Sequence, residues 1–374
     1  MPTDNSHDLS ALARSQLRPE LDPAPTLRVQ VRAKPLRQAP VYALVAVPMK
    51  AQAAELRTVR LEADDDRLTL TGFDYIHALS VSLTVKRGPL HRSGNAAVDA
   101  ARLAAALDLV GGETVEITVA GKAITVMAPG CTVLLAAVPL DRFPTLPQPM
   151  DDAERITGGA LDGTALTAIA RAGAVVETGP VYGDWAAVRV RIDASGIRAW
   201  AKATYAATVQ TVEHATDASD RKVLDVVIPS EAVVALAKPF ADMGGEWSTA
   251  VVACSSTRWL ELRRGDVTSR IKTLATAVED LSVIGGYLDE PVQASAAQSK
   301  SSLASRIRAN RSERLELAEV VEFWGLRRTV DRRLLKKALA TLPDGEVTLA
   351  LTTGNRLLLT AGGARTVVST APLS

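Results

Sequence analysis

One pattern governs how this chain can fold. An amphipathic helix, a glycine stop, an alternating strand, a tight turn and further strands are written three times. The first copy opens at Val98 (VDAARLAAALDLVGG). Leu103, Leu107 and Val110 recur there at helical spacing among helix-favouring alanines, and Gly111-Gly112 ends the run. Val115, Ile117 and Val119 then alternate with Glu116 and Thr118, as a half-buried strand does, before a turn at Gly121 leads to Ile124 and Val126. The pattern restarts at Ile228 (IPSEAVVALAKPF) and at Val330 (VDRRLLKKALATL). These starts lie 130 and 102 residues apart. Such intervals belong to repeated domains, since solenoid repeats run about 20–50 residues. The second interval is short, so the third copy is expected to lack a strand pair that the first two contain.

The segments between the copies fill in an α+β chain. Residues 1–26 are polar and carry Pro19, Pro23 and Pro25, as a disordered tail does. Leu27, Val29 and Val31 alternate as a first strand. Pro35 and Pro40 are expected to interrupt the chain after that strand, with Pro40 opening a short helix through Tyr42 and Val45. Strand patterns at 56–61 and 67–71 flank the acidic turn Asp64-Asp65-Asp66, and His77 falls in the strand run beyond. Asp162 is placed to cap a helix that carries Leu166, Ile169, Ala170, Gly173 and Val176 on one face. Strands are expected at 185–192, 197–203 and 207–212, then a charged loop at 213–222. Residues 150–160 and 289–302 read as linkers by composition. The resulting division is a tail at 1–26 and domains at 27–149, 160–288 and 301–374.

Composition excludes more than it selects. Aromatic residues make up 4% of the chain, so its cores are expected to be aliphatic. Lys and Arg number 43 against 42 Asp and Glu, a formal charge of +1, so global charge points to no partner. The sequence shows neither an apolar run of the roughly 18 residues a membrane span needs nor a signal-peptide core. A cytoplasmic chain with reduced Cys131 and Cys254 is the expectation. Chemistry-bearing motifs are missing: no phosphate-binding glycine loop, no dinucleotide fingerprint, no HExxH and no GxSxG elbow. His7, His77, His91 and His214 are scattered, and two lone cysteines give no zinc spacing. Neither enzymatic activity nor a cofactor or metal is expected.

What remains is local positive charge. Between Lys300 and Lys337 there are eleven Lys or Arg against five acids. Within it, the helix 330–342 sets Val330, Leu334, Leu335, Ala338, Leu339 and Leu342 on one face and Arg332, Arg333, Lys336 and Lys337 on the other. Flexible cations on a rigid element suit phosphates and do not read bases. The other helices offer Arg102, Arg171, Lys238, Arg306 and Arg308 in comparable places.

The ordered pattern resembles the bacterial sliding clamp, the β subunit of DNA polymerase III. RLTLTGFDYIHALSV resembles the family's strand, Thr-Gly-x-Asp, strand segment, and the stretch from Val98 through Phe143-Pro144 resembles its second helix and following strands. AAVRVRIDASGIRAWAKATYAATVQTV, IPSEAVVALAKPF and the terminal VVSTAPLS fall where the family has corresponding segments. The resemblance covers about residues 27–290 and 320–374. It implies three sliding-clamp-type domains, with helices lining a central channel and antiparallel sheets outside. It further implies a homodimer closed head to tail around double-stranded DNA without sequence readout, tethering a polymerase and served by a clamp loader. The cleft that takes partner peptides would comprise Ala168, Lys202, Thr204, Tyr205, Ala206, Ala207, Val278, Leu281, Val367, Val368, Ala371, Pro372 and Leu373. The chain departs from the family there. Where the family has Ala-Thr-Asp-Gly-x-Arg-Leu, it has Ala201-Lys202-Ala203-Thr204-Tyr205-Ala206-Ala207, so apolar wall is lost and weak binding of family peptides is expected. Family clamps are also more acidic. A divergent clamp is therefore one expectation, and a clamp paralogue that serves as a protein-interaction module without a closed ring is the other.

Overall fold

The computed structural model describes residues 24–47, 54–86, 88–148, 155–176, 186–213, 223–254, 257–275, 281–310, 312–316 and 328–372. Most of the expected tail and most of the charged loop at 213–222 lie outside this set. The chain forms two compact units: Met1–Phe73 with Ser80–Thr145, and Asp74–Leu79 with Leu146–Ser374.

The first unit is built twice from one order: strand, helix, three strands. Leu27–Arg32 leads into α1 (Ala33–Ala43), followed by Thr58–Ala63, Arg67–Phe73 and His77–Thr84. Gly94–Asp99 leads into α2 (Ala100–Leu109), followed by Thr114–Ala120, Ala123–Ala128 and Cys131–Val138. The halves exchange their leading strands. Leu27–Arg32 pairs antiparallel with Thr114–Ala120, and Gly94–Asp99 with both Thr58–Ala63 and the end of Cys131–Val138. Alternation sets the register: Val29, Val31, Val115 and Ile117 are buried while Glu116 stays partly open to pair with Arg28 at 2.9 Å. α2 starts because the Asp99 carboxylate accepts from the Arg102 amide at 2.9 Å. It then buries Leu103 and Leu107 completely, each contributing about 1.5–3 kcal/mol.

The prolines do not break the chain where expected. Pro35 lies in the first turn of α1, where the missing N–H matters little, and Pro40 is buried inside the helix, which runs on to Ala43. The helix keeps Pro40 because the ring packs in the core beside Leu36 and Ala39.

The second unit repeats the order. Arg155–Leu161 leads into α3 (Gly163–Ala174), then Ala187–Asp193, Gly196–Lys202 and Ala206–Val212. Leu224–Pro229 leads into α4 (Ser230–Met243), then Trp247–Cys254, Thr257–Arg264 and Val267–Lys272. The short α5 (Leu281–Leu288) comes next. A third round begins with Val292–Ser299 and α6 (Lys300–Ala309), and continues through Arg314–Glu316, Arg328–Asp331 and α7 (Arg332–Ala340). Glu346–Thr352, Arg356–Ala361, Ala364–Ser369 and Ala371–Pro372 complete it. Among the described residues, the third round has one three-residue strand after its first helix, where the earlier rounds have three strands of six to eight.

Two expected linkers are strands. Arg155–Leu161 pairs antiparallel with Trp247–Cys254, and its glycines belong there because a Cβ on Gly158 would lie 2.5 Å from the Thr249 hydroxyl and 2.8 Å from Leu224. Val292–Ser299 pairs with Glu346–Thr352 at the edge of an eight-stranded sheet. Its small polar residues hide the period, because backbone pairing rather than side-chain burial holds an edge strand. Centrally in that sheet, Ala206–Val212 pairs antiparallel with Ala364–Ser369, matching Ala206 to Val368 and Ala207 to Val367.

Several polar groups are buried and bonded, whereas Ser230 Oγ and Trp247 Nε1 have no hydrogen-bond partner among the described residues. His77 Nε2 lies 2.9 Å from Ser269 Oγ. Glu261 receives Arg155 at 2.7 Å and Arg270 at 2.9 Å. Burial alone would raise the Glu261 carboxyl, but the two guanidinium groups bring it below the usual carboxylate range.

Candidate functional site

α6 and α7 pack on each other as an antiparallel pair, clasped at both ends by cations from the basic segment. Lys300 Nζ donates to the Leu342 carbonyl at 2.6 Å and pairs with Asp344 at 3.0 Å. Arg332 Nη1 donates to the Asn310 carbonyl at 2.6 Å. Asp331 caps α7 through the amides of Arg333 (2.7 Å) and Leu334 (3.0 Å). Leu335, Ala338 and Leu339 are buried, so the opposite face of α7 presents Arg333 and Lys336 to solvent, with Lys337 half-buried. Arg306 and Arg308 are exposed on α6.

The remaining cations expected to meet phosphate are distributed among the other helices. Arg102 is exposed on α2, Lys238 is exposed on α4, and Arg171 is half-buried in the last turn of α3, within electrostatic reach of Asp344. The Arg332 guanidinium bridges from α7 to the Asn310 carbonyl at the end of α6, and Arg308 Nε donates to the Ala304 carbonyl within α6 at 3.2 Å.

The second candidate lies where Ala206–Val212 meets Ala364–Ser369. A cleft of about 170 Å³ brings together Lys202, Thr204, Tyr205, Ala206, Ala207 and Val367 from the expected set. Val368 faces the other side of its strand from Val367, as the twofold period requires, and is fully buried. Ala168 is buried in α3, and Ala371 and Pro372 form a strand against Arg328 and Thr329. Val278 and Leu373 lie outside the described residues, as does the side chain of Leu281, which opens α5.

Residues that the sequence did not single out complete the cleft: Tyr287 of α5, together with Arg356 and Ser369. Arg356 stacks over the Tyr287 ring at 4.5 Å and Lys202 Nζ stands 5.7 Å from it. Arg356 also holds Glu290, which accepts from Thr352 as well. No local sequence signal ties Tyr287 to Lys202. Only the pairing of the two strands brings α5 over that corner.

Among the described residues no group of three or more His, Cys, Asp or Glu could hold a metal. Cys131 and Cys254 are unpaired thiols. Among the described residues no helix is long and apolar enough to cross a membrane.

Strand-exchanged halves, recurring round after round with the helices between them, define the sliding-clamp fold. The chain matches solved bacterial clamps over 93% of its length and over 100% of theirs: the polymerase III β subunit of Pseudomonas aeruginosa (TM-score 0.75, 16% identity), the clamp of Bacillus subtilis (0.73, 13%), and the Helicobacter pylori clamp bound to a DNA ligase peptide (0.68, 13%). The resemblance seen in the sequence is thereby borne out, and the fold is that of the bacterial clamps. In sequence the chain is 26% identical to the β sliding clamp of Streptomyces coelicolor over 171 residues, which span 46% of this chain and 44% of that protein. No protein-family model matches.

Proposed function

We propose that this chain is a divergent sliding clamp, a non-enzymatic processivity factor. Its domains are those at 27–149, 160–288 and 301–374, the last extended by the strand Val292–Ser299. Two copies close around duplex DNA in the cytoplasm, tether a replicative polymerase and are opened by a clamp loader. The observation that carries this reading is the match of nearly the whole chain to the whole of each solved clamp. The phosphate-facing groups are Arg102, Arg171, Lys238, Arg306, Arg308, Arg333, Lys336 and Lys337. Arg332 joins them only through its clasp on α6. Binding of this kind is topological and electrostatic, so it ignores sequence and weakens with salt. The decisive test is retention on DNA circles. The protein loaded on a nicked circle is expected to elute with it and to run off once the circle is cut. Equal loss from circular and linear DNA would defeat the proposal.

A second reading follows from the short interval between the second and third repeats: a clamp-fold interaction module that does not close. It predicts no difference between circle and line, with partner binding intact.

A further inference from the structure

A larger cleft, of about 920 Å³, opens within the second unit where the strand Leu224–Pro229 meets the stretch Lys272–Ala275. Its walls include runs of consecutive residues, Val223–Val227 on one side and Lys272–Ala275 on the other. Successive side chains on a strand point to opposite faces, so walls of this kind are strand edges rather than the face of a sheet. Leu224–Pro229 pairs with Ala187–Asp193 along one edge, with Arg189 opposite Val227 and Arg191 opposite Asp225. On the other edge Leu274 donates to the Val227 carbonyl at 2.8 Å. Backbone groups two residues apart on a strand point the same way, so Asp225 also turns its N–H and C=O to that side. Among the described residues no backbone group meets them there. The opposite wall is fixed, because Thr273 donates to the Arg258 carbonyl through its amide (2.9 Å) and its hydroxyl (3.0 Å).

The charges along this edge do not cancel. Arg189 holds the Asp225 carboxylate in a two-pronged pair, both bonds at 2.8 Å. Arg258 and Lys272 also line the cleft, and among the described residues neither side chain has a partner. Buried Leu224, Val226 and Val251 contribute apolar wall. We propose that this cleft binds an extended acidic segment of a partner protein, which adds as a strand along the edge at Asp225 and sets its Asp or Glu carboxylates against Arg258 and Lys272. Backbone bonds to the edge supply affinity, and alternate side chains supply selectivity. Charge complementarity chooses the occupant: carboxylates gain charge-assisted hydrogen bonds, whereas a basic segment meets two like charges. The inference goes beyond the clamp reading. This cleft shares no residue with the one around Lys202, and its ligand chemistry is the same whether or not a ring closes.

The test titrates the full chain with fluorescein-labelled peptides of equal length: one alternating Glu and Val, its Gln-for-Glu counterpart, and two forms of the Glu peptide N-methylated at every Glu or at every Val. A strand on one edge uses the amides of alternate residues, so one of the two methylated forms must lose its bonds. The Glu peptide is expected to bind at least about tenfold tighter than the Gln peptide and than that methylated form, and to slow hydrogen exchange at the Asp225 amide. The double variant Arg258→Gln with Lys272→Gln should lose the preference for Glu over Gln, Arg258→Lys should keep it, and Lys202→Gln should bind as wild type does. Equal affinity for the Glu and Gln peptides, full binding by both methylated forms, an unaltered preference in the double variant, loss of binding in Lys202→Gln, or no binding by any peptide would overturn the inference. The wild-type comparisons decide it without any variant, and retention on DNA circles decides the clamp reading separately.

Discussion

His77 shows what a single buried group does to this protein. It is 1% exposed, its ring Nε2 lies 2.9 Å from Ser269 Oγ, and burial pushes its imidazolium down to about 3 from an ordinary 6.5. The unfolded chain therefore binds a proton across a pH range in which the folded chain refuses it. Stability is accordingly complete above the unfolded value near 6.5 and falls as pH drops toward 3. The slope is about 1.4 kcal/mol per pH unit for one such group. Asp74 works in the other direction, since burial raises its carboxyl and the folded state takes up that proton first. Comparing wild type with His77→Gln isolates the histidine. Urea midpoints of the variant are expected to fall less steeply with acid between about pH 6.5 and 4, and parallel profiles would assign the acid sensitivity elsewhere. From the sequence, His77 could be placed in a strand. Its ring partner, Ser269, lies too far along the chain for any local pattern to announce.

The same limit applies to whole elements. Helix periods, the capping aspartate Asp162 and the alternating strands were all readable, because each depends on neighbours within a few residues. The strands at Arg155–Leu161 and Val292–Ser299 were not, because a close backbone approach at Gly158 and edge pairing hold them rather than apolar alternation. Helix C-termini are another distant matter. Arg37 donates to the Leu107 and Val110 carbonyls at the end of α2 (3.1 and 2.5 Å), Arg264 to Met243 at the end of α4 (2.6 Å), and Arg332 to Asn310 beyond α6. Cations are suited to this end of the helix dipole. The cations on the basic face of α7 therefore divide by role. Arg333→Glu with Lys336→Glu is expected to leave the melting temperature nearly unchanged and to weaken retention on DNA circles uniformly across sequences. Arg332→Glu strands a helix-end carbonyl beside a carboxylate and should cost about 1–3 kcal/mol of stability. If the double variant is retained like wild type, α7 does not face DNA.

At the scale of the whole molecule, closure is the property that sequence and fold leave to assembly. A head-to-tail pair closes only if two different surfaces of each copy meet at an angle that returns to the start. A stable contact of that kind buries about 1,200–2,000 Å². If the proposed ring closes through the third round, the strand that follows its first helix there, among the described residues, is Arg314–Glu316. Free strand edges suit such a contact, because backbone hydrogen bonds can form along them. Sedimentation at micromolar concentration is expected to give about 79 kDa, twice the 39.5 kDa of one chain. A mass of one chain at every concentration, together with no preference for circular DNA, would leave the interaction module as the surviving function. A dimer that is retained on circles and lost from lines would establish that this chain encircles DNA.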